Sequence, residues 1–320
     1  MRKGVQIAPH FETPPERGRL LLFRTRVAIM ARHLLSPGAC TFPMNLVIVI
    51  PTYNESANIE AIIAELLALP GIDGERHILV VDDDSPDGTG DIAEAIAQRN
   101  PGKVSVLHRH DDPGLGRAYI DGFQKALDMG ADVVVQMDAD FSHSPQYIPV
   151  FLQMLRENED VDVVVGSRYV EGGQLDEHWS WWRRFLSWWA NAVYTRLILN
   201  LAVKDGTAGF KAWRRRTLEG IGLARIDSNG YVFQVEMAYV AERLGYKALE
   251  IPIYFEDRRI GKSKMSVPVK IEAAIRTWQI RMRHRHLTPA DRMNDGAELE
   301  NTTRPIPSRQ KQEQKPAYPS

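Results

Sequence analysis

Leu46-Val-Ile-Val-Ile-Pro-Thr-Tyr-Asn-Glu55 sets how the rest of the chain is read. Its five leading residues are apolar and mostly β-branched, which suits a strand buried on both faces, as in a parallel sheet covered by helices. Ile59, Ile62, Ile63, Leu66 and Leu67 then recur at helical spacing until Pro70 and Gly71 end the run. The alternation continues. Apolar runs predict strands near Ile78 to Val81, Val104 to Leu107, Val133 to Met137 and Asp162 to Val165, with helices near 91–99, 117–129 and 145–157 between them. Strands alternating with helices are βαβ units, so the expected fold class is α/β with a mostly parallel sheet.

The 320 residues are 44% hydrophobic and 25% charged, an ordinary globular composition that excludes collagen-like, coiled-coil and wholly disordered chains. The single cysteine, Cys40, allows no internal disulfide and no Cys-based zinc site, and suits a reducing compartment. A net charge of -1 conceals an uneven distribution. Residues 1–43 carry seven Lys/Arg and two acids, 258–287 carry nine and one, and the body 44–257 is left at -14. An acidic body points to metal binding, and a basic end to a polyanion or an anionic membrane surface. Four segments are expected: a loosely ordered extension over 1–43, a catalytic domain over 44–257, a basic loop and amphipathic helix over 258–287, and a disordered polar tail over 288–320. Met44, just before the first strand, is a candidate internal start. Leu20 to Leu35 comes nearest to a membrane span and is broken by Arg24, Arg26 and Arg32, so no transmembrane helix is expected.

Ligands of open α/β sheets bind outside the carboxyl ends of the strands. There the unusual residues gather: Pro51-Thr-Tyr-Asn-Glu55, Asp82-Asp-Asp-Ser-Pro-Asp-Gly-Thr89, Asp138-Ala-Asp140 and Gly166-Ser-Arg-Tyr169. Asp138 and Asp140 are two residues apart after an apolar strand, so in extended geometry both carboxylates point the same way. Such a pair holds Mg2+ or Mn2+ while substrate phosphates complete the coordination. No G-x-G-x-x-G follows the first strand and no G-x-x-x-x-G-K-[ST] occurs, which argues against a dinucleotide dehydrogenase and a P-loop NTPase. Pro113-Gly-Leu-Gly116 reads as a loop opening a helix, or as a mobile loop beside a nucleotide. His108, His110 and His143 are expected in structural roles because hard cations prefer oxygen, and His284 and His286 as part of the basic patch.

Val49-Ile-Pro-Thr-Tyr-Asn-Glu55, Val81-Asp-Asp-Asp-Ser-Pro-Asp-Gly-Thr89, Gly114-Leu-Gly-Arg-Ala-Tyr119, Met137-Asp-Ala-Asp-Phe-Ser-His143, Gly166-Ser-Arg-Tyr169, Gly230-Tyr-Val-Phe-Gln-Val-Glu236 and Phe255-Glu-Asp-Arg-Arg-Ile-Gly-Lys-Ser-Lys264 follow one another in order. Together they closely resemble the polyprenol-phosphate (dolichol-phosphate) mannosyltransferases, family 2 glycosyltransferases with the nucleotide-sugar-binding GT-A fold. The resemblance spans about 44–287. It implies that Pro51, Tyr53, Glu55, Val80 and Asp82 hold the guanosine of GDP-mannose. Asp138, Ala139 and Asp140 would contact the diphosphate and the Mg2+ or Mn2+, with Asp140 the main ligand. Arg168, Arg258 and Lys264 would be cationic phosphate contacts, and Arg183 and Ser187, with Arg168, would receive the acceptor phosphate.

The implied reaction is transfer of mannose to a polyprenyl phosphate in one inverting displacement. A phosphate monoester is already largely anionic at neutral pH, so no general base is nominated. The same chemistry with UDP-glucose or another nucleotide sugar, and a silent nucleotide-sugar-binding subunit of a membrane complex, are the alternatives. A processive polysaccharide synthase would need several spans and a Q-x-x-R-W motif, and neither is present.

Trp179, Trp181, Trp182, Trp188 and Trp189 crowd one segment beside Arg183 and Arg184, as at a membrane interface. Val267 to Leu287 mixes Val269, Ile271, Ile275, Trp278 and Met282 with Lys270, Arg276, Arg281, Arg283 and Arg285. Such a basic amphipathic helix lies on an anionic bilayer. The expectation is a peripheral enzyme on the cytoplasmic face of a membrane, alone or with an anchoring protein partner, and with no nucleic-acid partner. Many members of the resembled family carry carboxy-terminal membrane helices, from which this polar tail departs.

Overall fold

β1 (Leu46–Thr52) pairs in parallel with β2 (Arg76–Asp82) on one side and with β4 (Val133–Gln136) on the other. The computed structural model describes residues 44–72, 74–175, 194–230, 232–256 and 267–293. With β3 (Val104–His108), β5 (Val163–Ser167), β7 (Lys211–Arg214) and β8 (Ala248–Pro252), these strands form one sheet in the order β3-β2-β1-β4-β7-β5-β8. Only β7 runs antiparallel, between β4 and β5. β6 (Gln174–Leu175) and β9 (Tyr254–Phe255) make a separate two-stranded ladder. The mostly parallel α/β expectation therefore holds, and each expected strand and helix over 46–167 is present to within a few residues.

The helices are α1 (Ile59–Ala68), α2 (Thr89–Arg99), α3 (Leu115–Asp128), α4 (Ile148–Glu157), α5 (Arg196–Leu199), α6 (Arg215–Ile221), α7 (Val232–Arg243) and α8 (Val267–His284). Alternation along the strands sends Val47, Val49, Leu79 and Val81 to one face, where Tyr119 and Phe123 of α3 and Phe233 and Met237 of α7 cover them. Gly122 makes the approach of α3 close. A Cβ there would stand 2.5 Å from Val49 Cγ1 and 2.9 Å from Val81 Cγ2.

A second cluster joins α5, α7 and α8 through Ile198, Leu199, Val235, Tyr239 and Ile280. α8 thus has two kinds of face. Thr277, Ile280 and His284 are buried, whereas Ile275, Trp278 and Met282, at the same helical spacing, are more than half exposed. Among the described residues no helix is long and apolar enough to cross a membrane.

His284, expected as part of a basic patch, is instead buried. Its Nε2 lies 2.7 Å from Oε1 of Glu236, a fully buried carboxylate that also accepts the N–H groups of Asp227 and Ser228. Residues 288–293, expected in the disordered tail, are held by specific contacts. Thr288 and Asp291 form a capping box, and Arg292 lies 4.4 Å from the Tyr246 ring centroid while donating to the carbonyls of Leu244 and Gly245. Local polarity hid the His284 and Arg292 contacts because their partners are 46 to 48 residues earlier in the chain.

Gly122→Ala should destabilise the protein by about 1–3 kcal/mol through overpacking, despite the better helix propensity of alanine. Urea unfolding would show it as a lower midpoint. Burial alone would raise the Glu236 carboxyl, but hydrogen bonds from His284 and Ser228 and the His284 charge outweigh it and hold it below its ordinary value of 4.5. A carboxylate lowered in the fold contributes stability that is complete above its unfolded pKa and lost as pH falls through the folded one. Glu236→Gln should therefore cost about 2 kcal/mol at neutral pH and flatten the decline in stability below pH ~4.5. An unchanged acid limb in the variant would contradict this.

Candidate active site

The strand order reverses at β1: β2 and β3 build outward on one side and β4 starts the other. A crevice at the carboxyl edge is the natural ligand site at such a switch point. Four strand exits there contain a non-glycine residue in the left-handed region: Asn54 after β1 (φ 61), Asp84 after β2 (φ 55), Asp112 after β3 (φ 51) and Phe141 after β4 (φ 63). Phe141 has no short polar side chain to ease that conformation, so the tertiary structure holds the Asp138–His143 turn in it.

The exits of β1 and β2 are stitched together. Thr52 and Asp82 are partners in register, and Thr52 Oγ1 and Ser85 Oγ donate to Asp82 Oδ1 at 2.9 and 2.6 Å, while Ser85 N–H reaches Oδ2 at 3.1 Å. The N–H groups of Asn54, Glu55 and Ser56 donate to Ser85 Oγ, Thr89 Oγ1 and Asp87 Oδ2. This fixes the backbone that carries Tyr53 and Glu55, both partly exposed. Pro51 and Val80 are buried within their strands. Asp83 is buried too, ion-paired with Arg109 and accepting Gly114 N–H at 2.6 Å.

Beyond β4, Asp138 lies at the crevice with Ala139 and Asp140 buried behind it. Tyr119 OH donates to Asp138 Oδ1 at 3.0 Å, and Asp138 N–H donates to His143 Nδ1 at 3.0 Å. The latter contact leaves the ring proton of neutral His143 on Nε2. Burial holds the His143 pKa down against the opposing charges of Asp138 and Asp140. Asp140 Oδ1 accepts Ser142 N–H at 3.0 Å, and the Ser142 hydroxyl oxygen, buried beside it, has no hydrogen-bond partner among the described residues.

Two carboxylates and an orphaned hydroxyl form an all-oxygen donor set, the chemistry Mg2+ or Mn2+ prefers when substrate phosphates supply the remaining ligands. Among the described residues no cluster of three His, Cys, Asp or Glu side chains could cage a metal alone. These oxygen donors fit a hard divalent cation.

β7 runs against its neighbours, so its first residue, Lys211, sits at the carboxyl edge opposite Gln136 and Val165. The segment entering it brings Asp205 and Gly209 to the crevice. Asp205, fully buried, accepts Arg168 Nε and Nη2 at 2.8 Å each, and Thr207 Oγ1 accepts a further bond from Nη2 at 2.7 Å. Burial would lower the Arg168 pKa, but the Asp205 charge raises it further, so this cation is permanent. It senses the Asp138 charge, so the two side chains lie near one another at the crevice. Lys211 is pushed down to about 7 by burial, with its Nζ 3.1 Å from Gln234 Oε1.

Pro113-Gly-Leu-Gly116 is gripped from two sides: Asp83 takes Gly114 N–H, and Asn229 Oδ1 accepts Gly116 N–H at 3.0 Å while Asn229 Nδ2 reaches Pro113 O at 3.3 Å. Arg183, Ser187, Arg258, Lys264 and the tryptophan-rich segment lie outside the described residues. Tyr119 and Glu236 close two of the quoted motifs but were given no role there, and Asp205 and Asn229 went unread in the sequence. Isolated polar residues such as Asp205 and Asn229 carry no local signal, and only their contacts in the fold mark them.

The model of the family described as "Glycosyl transferase family 2" matches residues 47–222. The undecaprenyl-phosphate mannosyltransferase of Micrococcus luteus is 45% identical over 233 residues, covering 72% of this chain and 92% of its own. The polyprenol monophosphomannose synthase of Mycolicibacterium smegmatis is 43% identical over 239 residues, 74% of this chain and 87% of its own. In fold, the chain is similar to glucosyl-3-phosphoglycerate synthase of Mycobacterium tuberculosis, solved with Mn2+, UDP and glucosyl-3-phosphoglycerate (TM-score 0.53, 18% identity, 75% of this chain and 80% of that one). It is also similar to mannosyl-3-phosphoglycerate synthase of Rubrobacter xylanophilus (TM-score 0.52, 20% identity, 81% and 78%). The chain belongs to glycosyl transferase family 2, with polyprenol-phosphate mannosyltransferases among its relatives.

Proposed function

We propose that this enzyme transfers mannose from GDP-mannose to a polyprenyl phosphate with inversion, giving polyprenyl-phosphate β-mannose. The observation that carries the reading is the meeting of Asp138, Asp140 and Arg168 at the switch-point crevice, beside the stitched exits of β1 and β2. The relatives named for this transfer supply the sugar and the acceptor class. The catalytic unit is 44–257, followed by the basic segment 258–287.

In this reading Tyr53, Glu55 and the β2 exit at Asp82 bind the nucleoside, and Asp138 and Asp140 hold Mg2+ or Mn2+ together with the diphosphate. When bound, the metal neutralises negative charge on the diphosphate as it leaves. Arg168 adds a fixed positive charge, preorganised by Asp205 so that it does not have to reorganise during the reaction. An oxygen of the acceptor phosphate attacks the anomeric carbon while the bond from that carbon to the diphosphate breaks and GDP departs. Arg183, Ser187, Arg258 and Lys264 complete the phosphate contacts. The protein acts by positioning and charge neutralisation.

The exposed stripe Ile275, Trp278 and Met282, with exposed Arg285 alongside, supports placement on an anionic membrane surface, and the use of a nucleotide-sugar donor favours the cytoplasmic face. An anchoring protein partner is compatible with this placement.

Transfer of labelled mannose from GDP-mannose into the lipid phase, with and without divalent metal and against UDP-glucose, tests the reading directly. Label is expected in lipid only with GDP-mannose and metal; transfer from UDP-glucose alone would overturn the sugar assignment. Asp140→Asn should lower transfer by roughly 100-fold or more, as loss of a preorganised electrostatic group does. Replacing Trp278 and Met282 together by Ala should weaken co-sedimentation with anionic vesicles and leave the melting temperature near native. Unchanged vesicle binding would remove α8 from the membrane contact.

A further inference from the structure

Tyr119 is a fully buried residue of α3 whose position is set by aromatic packing. Its ring stacks on Phe233 at 5.7 Å between centroids and tilts against Phe123 at 5.6 Å. Phenylalanine would fill the same space without the cost of burying a hydroxyl, so packing does not account for the oxygen. That hydroxyl reaches out of the core to Asp138 Oδ1.

The backbone of the same aspartate is held from the other side. Its N–H donates to His143 Nδ1, and the imidazole is locked between Phe210, stacked at 5.1 Å, and Phe255, edge-on at 5.7 Å. Asp138 Oδ2 lies beside Gly209, where a Cβ would come within 3.6 Å of it and within 3.0 Å of His143 Cε1. One carboxylate oxygen is thus occupied by a rigid donor, and the other is next to a residue with no side chain.

We propose that Tyr119 and His143 are positioning residues, a two-point clamp that fixes the rotamer of Asp138 and presents Oδ2 to the divalent metal that would bind with the diphosphate. The inference rests on the reading of Asp138 and Asp140 as the metal and diphosphate site. Outer partners that orient a ligand typically change metal affinity by 10–100-fold when removed.

The test is Mn2+ binding to the full chain, alone and with GDP, followed by the electron paramagnetic resonance of free Mn2+. Cooperative melting in EDTA serves as the check on folding. Tyr119→Phe is expected to weaken Mn2+ binding about 10-fold and to raise the Mn2+ activation constant of transfer by the same factor, with kcat at saturating metal nearly native. His143→Phe, which keeps the stack and loses the acceptor, should weaken binding similarly. His143→Asn, whose Oδ1 can replace Nδ1, should restore it. Phe123→Leu loosens the same aromatic stack without touching Asp138 and should bind Mn2+ as the native protein does.

Native affinity in Tyr119→Phe and His143→Phe, with weakened binding in Asp140→Asn, would overturn the clamp and leave the metal site standing. Equal weakening in Phe123→Leu would also overturn it, by assigning the effect to packing. If Asp140→Asn itself bound Mn2+ normally, the site reading beneath the proposal would fall.

Discussion

Parallel pairing of β1 with β2 and β4 gathers acidic strand exits along one edge, and like charges brought that close must be held apart or neutralised. The crevice is organised around this constraint. Asp82 is bonded by Thr52 and Ser85, Asp83 is paired with Arg109, Asp138 is bonded by Tyr119, and Asp205 is matched to Arg168. Each carboxylate thereby receives a defined direction as well as a partner. A buried acid without such a donor would rather take up a proton than keep its charge.

The Arg168–Asp205 pair is the clearest case. Two nitrogens of one guanidinium meet one carboxylate almost out of solvent, and Thr207 occupies a further donor position. Breaking such a pair by removing one partner leaves a buried charge uncompensated. The cation beside Asp138 is therefore rigid as well as permanent. A lysine could not reproduce that geometry, because its ammonium is a point charge on a flexible stem.

Contacts also run from the crevice to α8. Asp83 holds Gly114, Asn229 holds Gly116, and Glu236 holds the N–H groups of Asp227 and Ser228 while it pairs with His284. The helix that presents Trp278 and Met282 outward is thus tied by its inward face to the loop that flanks the β2 exit. The glycine loop is restrained by hydrogen bonds on both sides, and the close approach of Ser228 O to Gly116 leaves no room for a side chain there.

The sequence by itself determined the βαβ alternation, the mostly parallel sheet and the four polar strand exits, because burial on two faces and helical periodicity write themselves into local residue order. Asp138, Asp140 and Arg168 stood out as candidates for the same reason: they follow apolar strands directly. The tertiary structure decided which of the acids are structural. Asp83 and Asp82 share one motif, yet Asp83 is committed to Arg109, 26 residues away, and no local pattern could say so. Antiparallel β7 brought Asp205 and Gly209 to the site, and the burial of His284 turned an expected surface charge into a partner for Glu236. Such roles depend on contacts between residues distant in the chain, and those exist only once the sheet has closed its register.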